Sequence, residues 1–191
     1  GGLVLSAASG LSYLLGLLRD RVLAGTFGAS DALDAYQAAF VVPDFIFNLF
    51  LAGALSAAFI PVFTDLRTRR KIQEAATLAG TLLNFGLLAL LIVGAVAWLA
   101  AGPLSQLVGP GFAPAKQALL AQLTRIMLLS PLLFLVSNLL GGMLISTKRF
   151  LFYGLSPALY NLGIIAGALL LTPTFGIAGV AIGTVFHPAV C

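Results

Sequence analysis

The sequence has very few charged residues for its length. Of its 191 residues, 8% are Asp, Glu, Lys or Arg, whereas 60% are hydrophobic, and the mean hydropathy is +1.09. A soluble domain carries about 25% charged residues, which it needs to cover its surface. Ten basic and six acidic side chains cannot cover a water-facing surface of this size. The composition therefore excludes an ordinary soluble domain and predicts an integral membrane protein.

Cysteine and histidine are equally scarce. Cys191 is the single cysteine and His187 the single histidine, so the sequence holds no internal disulfide and no Cys/His cluster with metal-ligand spacing. Asp20, Asp34 and Asp44 have no histidine at a useful spacing, and the Gly-x-x-x-x-Gly-Lys phosphate-binding loop is missing. We therefore expect no enzyme activity, no metal ion, no cofactor and no nucleic-acid partner, and we expect His187 to pack rather than react.

The apolar segments are long enough to cross a bilayer as helices. Most run for about 20 residues or more, whereas membrane-spanning strands need only about ten. The 21 glycines suit the close helix packing found in membranes. We predict an all-α, polytopic transmembrane bundle of about six helices, over residues 3–27, 32–63, 75–104, 116–146, 150–171 and 177–190. The last span is incomplete, so we expect the sequence to belong to a longer protein.

Three residues are expected to shape the first two helices. Gly28 follows the first apolar run and is a plausible C-cap, while Asp31 is a candidate N-cap for the second helix. The second run exceeds the length needed to cross the roughly 30 Å of hydrocarbon, so this helix should tilt or kink. Pro43 is the expected position of the kink.

Basic residues concentrate in two of the predicted loops. They are Arg67, Arg69, Arg70 and Lys71 after the second helix, and Lys148 and Arg149 after the fourth. The alternate loops hold only Lys116, together with the acidic Asp31. By the positive-inside rule, both basic loops and the N-terminus are expected to be cytoplasmic. The simplest interpretation of these six residues is that they set the topology and touch anionic head groups rather than a substrate.

Three charged residues lie within the first predicted helix, where charge is unfavourable. Arg19, Asp20 and Arg21 would each cost about 2.5–3.5 kcal/mol at the centre of a lipid-facing helix. They can be accommodated if they face a water-filled cavity, pair with partners, or lie near the outer interface. We interpret Arg19 as a candidate substrate contact, and Asp20 and Arg21 as a gate or an ion pair.

Polar residues form stripes at helical spacing on three of the predicted helices. The stripes are Ser9, Ser12, Gly16 and Arg19 on the first helix; Asp34, Gln37, Val41, Asp44 and Asn48 on the second; and Tyr153, Ser156 and Tyr160, with Asn161 beside them, on the fifth. Together with Arg125 on the fourth helix, they predict an aqueous path within the bundle, lined by Arg19, Asp34, Asp44 and Asn48. Alternatively, Arg19 pairs across helices with Asp34 or Asp44; the two readings are compatible. An arginine-containing cavity favours an anionic substrate because the planar guanidinium matches phosphate oxygens.

Several segments resemble the MurJ/MviN family of lipid II flippases. They are Gly16 to Ala24 (GLLRDRVLA), Phe27 to Ala35 (FGASDALDA), Phe40 to Asp44 (FVVPD), Gly53 to Phe63 (GALSAAFIPVF), Pro110 to Phe112 (PGF), Lys148 to Phe150 (KRF) and Ser156 to Asn161 (SPALYN). The resemblance implies membership of the multidrug/oligosaccharidyl-lipid/polysaccharide exporter superfamily, whose members have about fourteen helices in two lobes around a central cavity. This chain, residues 1–191, would be the N-terminal lobe, and the C-terminal lobe would be missing.

The resemblance also implies a function and a substrate. The family moves an undecaprenyl-pyrophosphate-linked peptidoglycan precursor from the inner to the outer leaflet of the bacterial cytoplasmic membrane by alternating access. By the same resemblance, Arg19 is a cavity arginine, Asp20 its gate-side neighbour and Asp34 a polar residue early in the second helix. The expected partners are membrane lipid, a lipid-linked anionic glycan and the second lobe.

The sequence departs from the family pattern at several charged positions. Tyr13 stands where the family typically has an arginine, Phe47-Asn48 where it has paired arginines, and Ala52 where it has an acidic residue. Two alternatives therefore stay open beside lipid II transport. One is a flippase for another polyprenyl-linked glycan, and the other is a membrane scaffold that does not transport.

Overall fold

The computed structural model describes residues 2–49, 55–146 and 150–186, and every regular element in them is helical. The helices are α1 Gly2–Phe27, α2 Asp31–Ala38, α3 Val41–Phe47, α4 Leu55–Thr68, α5 Ile72–Leu99, α6 Ala101–Val108, α7 Pro114–Met127, α8 Ser130–Ser146, α9 Phe150–Ala166, α10 Thr172–Phe175 and α11 Ile177–Phe186. A π-helical stretch, Gly167–Leu171, joins α9 to α10. Lys148, Arg149, His187 and Cys191 lie outside the described residues.

Three helical stretches are long and apolar enough to cross a membrane. Within the described part of the chain they are Ile72–Leu99, Pro114–Leu144 and Gly154–Phe175. Of the three, Ile72–Leu99 is the least buried and Pro114–Leu144 the most buried. α1 has a similar length, at 26 residues, but carries Arg19, Asp20 and Arg21. The predicted all-α transmembrane bundle is confirmed, and the chain is a multi-pass membrane protein.

The end of α1 and the start of α2 follow ordinary capping chemistry. α1 ends before Gly28, whose φ of +59° is a left-handed conformation that glycine adopts without steric cost. The prediction that Asp31 caps α2 was wrong. The Ser30 hydroxyl is the N-cap and accepts a hydrogen bond from the Leu33 amide at 3.3 Å. Asp31 is instead the first residue of α2, where the positive end of the helix dipole stabilises its negative charge.

Two of the long predicted helices are broken just before a proline, whereas α4 and α9 continue through Pro61 and Pro157. The second predicted helix turns between α2 and α3, at Ala39 and Phe40. Pro43 has no amide hydrogen to donate to the Ala39 carbonyl, and its ring crowds that carbonyl, so the kink predicted at Pro43 is confirmed. The fourth predicted helix turns between α7 and α8, because Pro131 acts in the same way on the Met127 carbonyl. That second break was not anticipated from the sequence.

The polar segment from Asp65 to Glu74 interrupts the helices less than expected. α4 continues to Thr68 and α5 begins at Ile72, so the turn between them occupies residues 69–71 only. Arg70 closes the turn with a φ of 60°. The third predicted helix also divides, into α5 and α6, at Ala100. Helical backbone therefore extends through most of a segment whose side chains are too polar for hydrocarbon.

The buried side chains of residues 2–49, 55–146 and 150–186 form two hydrophobic cores. The first core joins α1, α2, α7, α9 and α11 around Tyr36, Leu123, Ile164 and Val180. The second core joins α3, α4, α5 and α8 and is centred on large aliphatic and aromatic side chains. The helices broken by proline contribute to both cores, with the part before each break in the first core and the part after it in the second.

Close backbone contact holds α11 against α9 and the π-helical stretch that follows it. A Cβ atom added to Gly183 would lie 2.5 Å from the Gly163 carbonyl oxygen, and one added to Gly167 would lie 2.7 Å from the Gly179 carbonyl oxygen. Gly163 and Gly167 are four residues apart, as are Gly179 and Gly183. Small residues at this spacing let transmembrane helices approach closely.

This contact predicts the effect of a single methyl group. Replacing Gly183 by alanine should destabilise the protein by about 1–3 kcal/mol, because the new Cβ must displace the α9 backbone. Gly94→Ala is the matched control, since a Cβ there meets no atom within 4 Å. We expect a lower thermal midpoint in detergent for Gly183→Ala and an unchanged or slightly raised one for Gly94→Ala. Equal midpoints for the two variants would contradict the proposed close contact.

Candidate functional site

Asn161 links α9 to α1 inside the bundle. Its side chain is 6% exposed, and its Nδ2 donates to the Ser12 carbonyl oxygen at 3.2 Å and to the Pro157 carbonyl oxygen at 3.0 Å. Its Oδ1 accepts a hydrogen bond from Arg19 Nη1 at 3.1 Å. A buried amide must find partners for its donors and its acceptor, and these three bonds provide them.

The small and polar face predicted on α1 is present, and most of it packs against α9. A Cβ atom added to Gly16 would lie 3.9 Å from both the Asn161 oxygen and its nitrogen, so Gly16 lets the two helices approach. Ser12 and Arg19 contact Asn161 on either side of Gly16. The predicted stripe is therefore a helix–helix contact along most of its length, and Arg19 is the charged member at one end.

Arg19 is held by two partners and stays partly accessible. Its Nε and Nη2 donate to the same Asp20 oxygen, Oδ1, at 2.9 and 2.8 Å. Its side chain is 29% exposed and that of Asp20 is 62% exposed. With the bond to Asn161, three of the five guanidinium N–H groups are used, and the other two have no partner among the described residues. Asp20 thus forms an ion pair, and Arg19 keeps donors for a further anion.

Asp34 has a different partner from the one considered on sequence grounds. Lys116 Nζ lies 2.7 Å from Asp34 Oδ2 and 2.8 Å from Asp31 Oδ1, and it sits 4.2 Å from the centroid of the Phe112 ring. These contacts fasten the start of α7 to the start of α2. Arg19 and Asp34 therefore do not pair with each other. Lys116 was noted in the sequence as an isolated base, and its acceptors lie more than 80 positions earlier in the chain.

The polar stripe of α2 and α3 forms one exposed face despite the proline break. Asp34, Gln37, Val41, Asp44 and Asn48 are all exposed. Asn48 Nδ2 donates to the Asp44 carbonyl oxygen of its own helix at 2.8 Å, and the Asp44 carboxylate makes no salt bridge within the described residues. The alternative pair of Arg19 with Asp44 is therefore also absent from this part of the chain.

Arg19 and Asp44 lie near two tyrosines at the centre of the bundle. Asp44 and Tyr160 line the same small cleft, and Arg19 bonds Asn161, the residue after Tyr160 in α9. The Tyr36 hydroxyl is hydrogen-bonded to the Thr184 hydroxyl at 2.9 Å. The residues named from the sequence on α1, α3 and α9 thus converge on one polar region.

A small cleft opens beside the two proline breaks. Pro43 and Pro131 line it together with Asp44 and Tyr160. Ser130 also lines it, and its hydroxyl is buried without a hydrogen-bond partner within the described residues. No sequence pattern pointed to Ser130, because its role depends on the break that Pro131 introduces. Of the stripe predicted on the fifth helix, the Tyr153 side chain lies outside the described residues.

The remaining charged residues lie away from this region. Arg125 stacks on the Trp98 ring, with its guanidinium carbon 5.2 Å from the ring centroid, and Nε donates to the Trp98 carbonyl oxygen at 3.3 Å. Arg21 is exposed and has no partner among the described residues. Arg69 pairs with Asp65, and Lys71 with Glu74, across the turn between α4 and α5.

The Asn161 contact gives a test of how α1 is held. Asn161→Ala should destabilise the protein by about 1–3 kcal/mol, because it removes a buried amide that bonds Ser12 and Arg19 of α1 and the Pro157 carbonyl of α9. Asn84→Ala on the exposed surface of α5 is the matched control. Denaturation in detergent would measure both, and an equal loss from Asn84→Ala would exclude a special role for Asn161.

Comparisons with known proteins identify relatives of this chain. The family described as "Lipid II flippase MurJ" matches residues 23–187. A probable lipid II flippase MurJ from Thermotoga maritima is 30% identical over 181 residues, covering 95% of this chain and 38% of that protein. The lipid II flippase MurJ from Burkholderia cenocepacia is 30% identical over 176 residues, covering 90% of this chain and 34% of that protein.

The fold has a counterpart among solved structures. A structure titled "Lipid II flippase MurJ, inward closed conformation" superposes with a TM-score of 0.80 at 26% sequence identity. The match covers 98% of this chain and 40% of that one. The chain therefore spans between about a third and two fifths of the length of these relatives.

Proposed function

Since the chain belongs to the MurJ family of lipid II flippases, we propose that it forms the N-terminal lobe of a transporter for lipid II, the polyprenyl-pyrophosphate-linked peptidoglycan precursor. Transport would run from the inner to the outer leaflet of the bacterial cytoplasmic membrane by alternating access. A C-terminal lobe would complete the cavity. The role is that of a transporter rather than of an enzyme.

The observation that carries the proposal is the state of Arg19. A guanidinium inside a membrane bundle is unfavourable unless it is paired, and Arg19 is positioned by Asp20 and Asn161 while two of its N–H donors have no partner in the part of the chain that the structure describes. Two free N–H groups on a planar, permanently charged side chain suit a pyrophosphate oxygen. Asp34, Asp44 and Asn48 line the exposed polar face along α2 and α3, and we propose that they meet the hydrated part of the substrate.

The distribution of charge supports an orientation for the lobe. The basic turn with Arg67, Arg69, Arg70 and Lys71 lies at the end of the bundle where α4 meets α5, whereas Lys116 is neutralised by two aspartates at the end where α2 and α7 begin. By the positive-inside rule, the basic turn and the N-terminus would be cytoplasmic. In that orientation Arg19, late in α1, would lie in the outer half of the membrane, with Asp20 beside it as a gate or ion-pair partner.

The role of Arg19 can be tested by complementation. We expect Arg19→Ala, in the complete gene, to abolish rescue of a bacterium depleted of its own flippase. The lost charge-assisted hydrogen bonds correspond to about 1.5–3 kcal/mol, or about ten- to a hundredfold in substrate affinity. Arg69→Ala is the matched control, because it removes the same charge from an exposed surface pair. Full rescue by Arg19→Ala at equal membrane levels would refute the assignment.

A second candidate, transport of another polyprenyl-linked glycan, is favoured by the surroundings of Phe47 and Asn48. Phe47 packs edge-on against Phe134, with ring centroids 5.4 Å apart, and Asn48 bonds to its own helix. Neither position adds a cation near the substrate path. Reconstituted transport would separate the candidates, using lipid II and a lipid with the same pyrophosphate anchor but a different glycan. We expect faster transport of lipid II, and the reverse order would favour the second candidate.

A further inference from the structure

We propose that a groove between α4, α5 and α8 is a binding site for an anionic phospholipid of the surrounding membrane, with one acyl chain in the groove and the head-group phosphate at Arg67. The groove has a volume of about 420 Å³. Its walls include Phe63, Ala79, Leu83, Leu139 and Met143, and Arg67 is the charged residue among the described residues that line it. This site is separate from Arg19 and does not depend on the identity of the transported substrate.

Small residues of α5 create the groove. Ala75, Ala76, Ala79 and Gly80 line it from one side, and a Cβ atom added to Gly80 would meet no atom within 4 Å. Leu83 and Leu139 add aliphatic surface to its lining. An apolar space of this kind suits a hydrocarbon chain, because it offers dispersion contacts and few polar groups that would need hydrogen bonds.

The charges at the turn between α4 and α5 are only half neutralised. Arg69 pairs with Asp65, and Lys71 pairs with Glu74, each with a nitrogen–oxygen distance of 2.9 Å. Arg67 and Arg70 have no carboxylate partner within the described residues. Arg67 therefore combines an unpaired charge with a position on the groove, which complements an anionic head group whose acyl chain enters the same groove. Basic pockets between transmembrane helices bind anionic lipid head groups in this way.

The location of α5 favours a lipid over a second protein surface. α5 is the least buried of the three helices able to cross a membrane, and Phe85, Leu88 and Leu91 are more than half exposed along it. Its packing is mainly against α4 and α8, whereas the polar region around Arg19 is built on α1, α2, α3 and α9. The groove thus opens on the apolar side of the bundle, where the lipid bilayer is the natural neighbour.

The proposal can be tested with a fluorescent reporter inside the groove. The protein would carry Leu140→Trp, at a half-exposed lining position, and Trp98→Phe, which removes the single native tryptophan. It would be placed in bilayers containing brominated phosphatidylglycerol or brominated phosphatidylcholine, whose bromine atoms quench tryptophan on contact. We expect phosphatidylglycerol to quench with about fivefold higher apparent affinity, as one arginine near an anionic surface provides.

Two matched variants locate the effect. Arg67→Gln should remove the preference for phosphatidylglycerol. Arg69→Gln should keep it, because this variant removes the same charge from the turn but Arg69 does not line the groove. If Arg67→Gln does not fold, Arg67→Lys should retain the preference. Gly80→Leu, which fills the groove without changing charge, should reduce quenching by both lipids.

Other results would overturn the proposal. Equal affinity for the two lipids in the parent protein would show an unselective lipid-facing surface. An equal loss of preference in Arg67→Gln and Arg69→Gln would assign it to the net charge of the turn. A reporter shielded from both phospholipids and quenched only by a brominated polyprenyl pyrophosphate would assign the groove to the transported lipid instead.

Discussion

The packing of the bundle depends on two neighbouring interruptions of helical hydrogen bonding. Pro43 and Pro131 each remove an amide donor, and both line the same small cleft, so the two helices bend side by side. Before the bends, Tyr36 and Met127 belong to the first core; after them, Ile46 and Leu128 belong to the second. Without these bends, straight helices could not serve both cores.

A second constraint is that hydrocarbon cannot form hydrogen bonds with polar groups. Asn161 satisfies the constraint for α1, because a single buried amide bonds the Ser12 backbone and the Arg19 side chain while it also bonds its own helix. The arrangement explains how the adjacent charges of Arg19 and Asp20 can occur in α1. Asp20 and Asn161 bear part of the guanidinium's hydrogen bonding, and the remainder is available to an anion. The hydrogen bonds that hold Arg19 in the bundle would therefore also orient it toward the proposed substrate.

Patterns local in the sequence were predictable, whereas partners distant in the sequence were not. Hydropathy and spacing predicted the helical bundle, the kink at Pro43 and the polar stripe from Asp34 to Asn48, because these depend on neighbours within a few turns. The partners of Arg19, Asp34 and Lys116 depend on how helices approach, and one aspartate among six acidic residues looks much like another. Asn161 was noted only as a neighbour of the tyrosine stripe, since nothing local indicates that Gly16 lies opposite its amide.

Whether a cation already has a partner distinguishes structural charges from charges that can bind a ligand. Carboxylates pair with three of the cations, Lys116, Arg69 and Lys71, and the Trp98 ring stacks with Arg125. An external anion would have to displace one of these existing partners. Among the described residues, two N–H donors of Arg19 have no partner, and Arg67, beside the apolar groove, has no carboxylate partner. Since Arg19 belongs to the contact of α1 with α9 and Arg67 to the groove of α4, α5 and α8, the proposed pyrophosphate and the proposed lipid phosphate would bind different helices and would not compete. One lobe would then recognise the same chemical group in two roles, distinguished by whether the attached chain has to move.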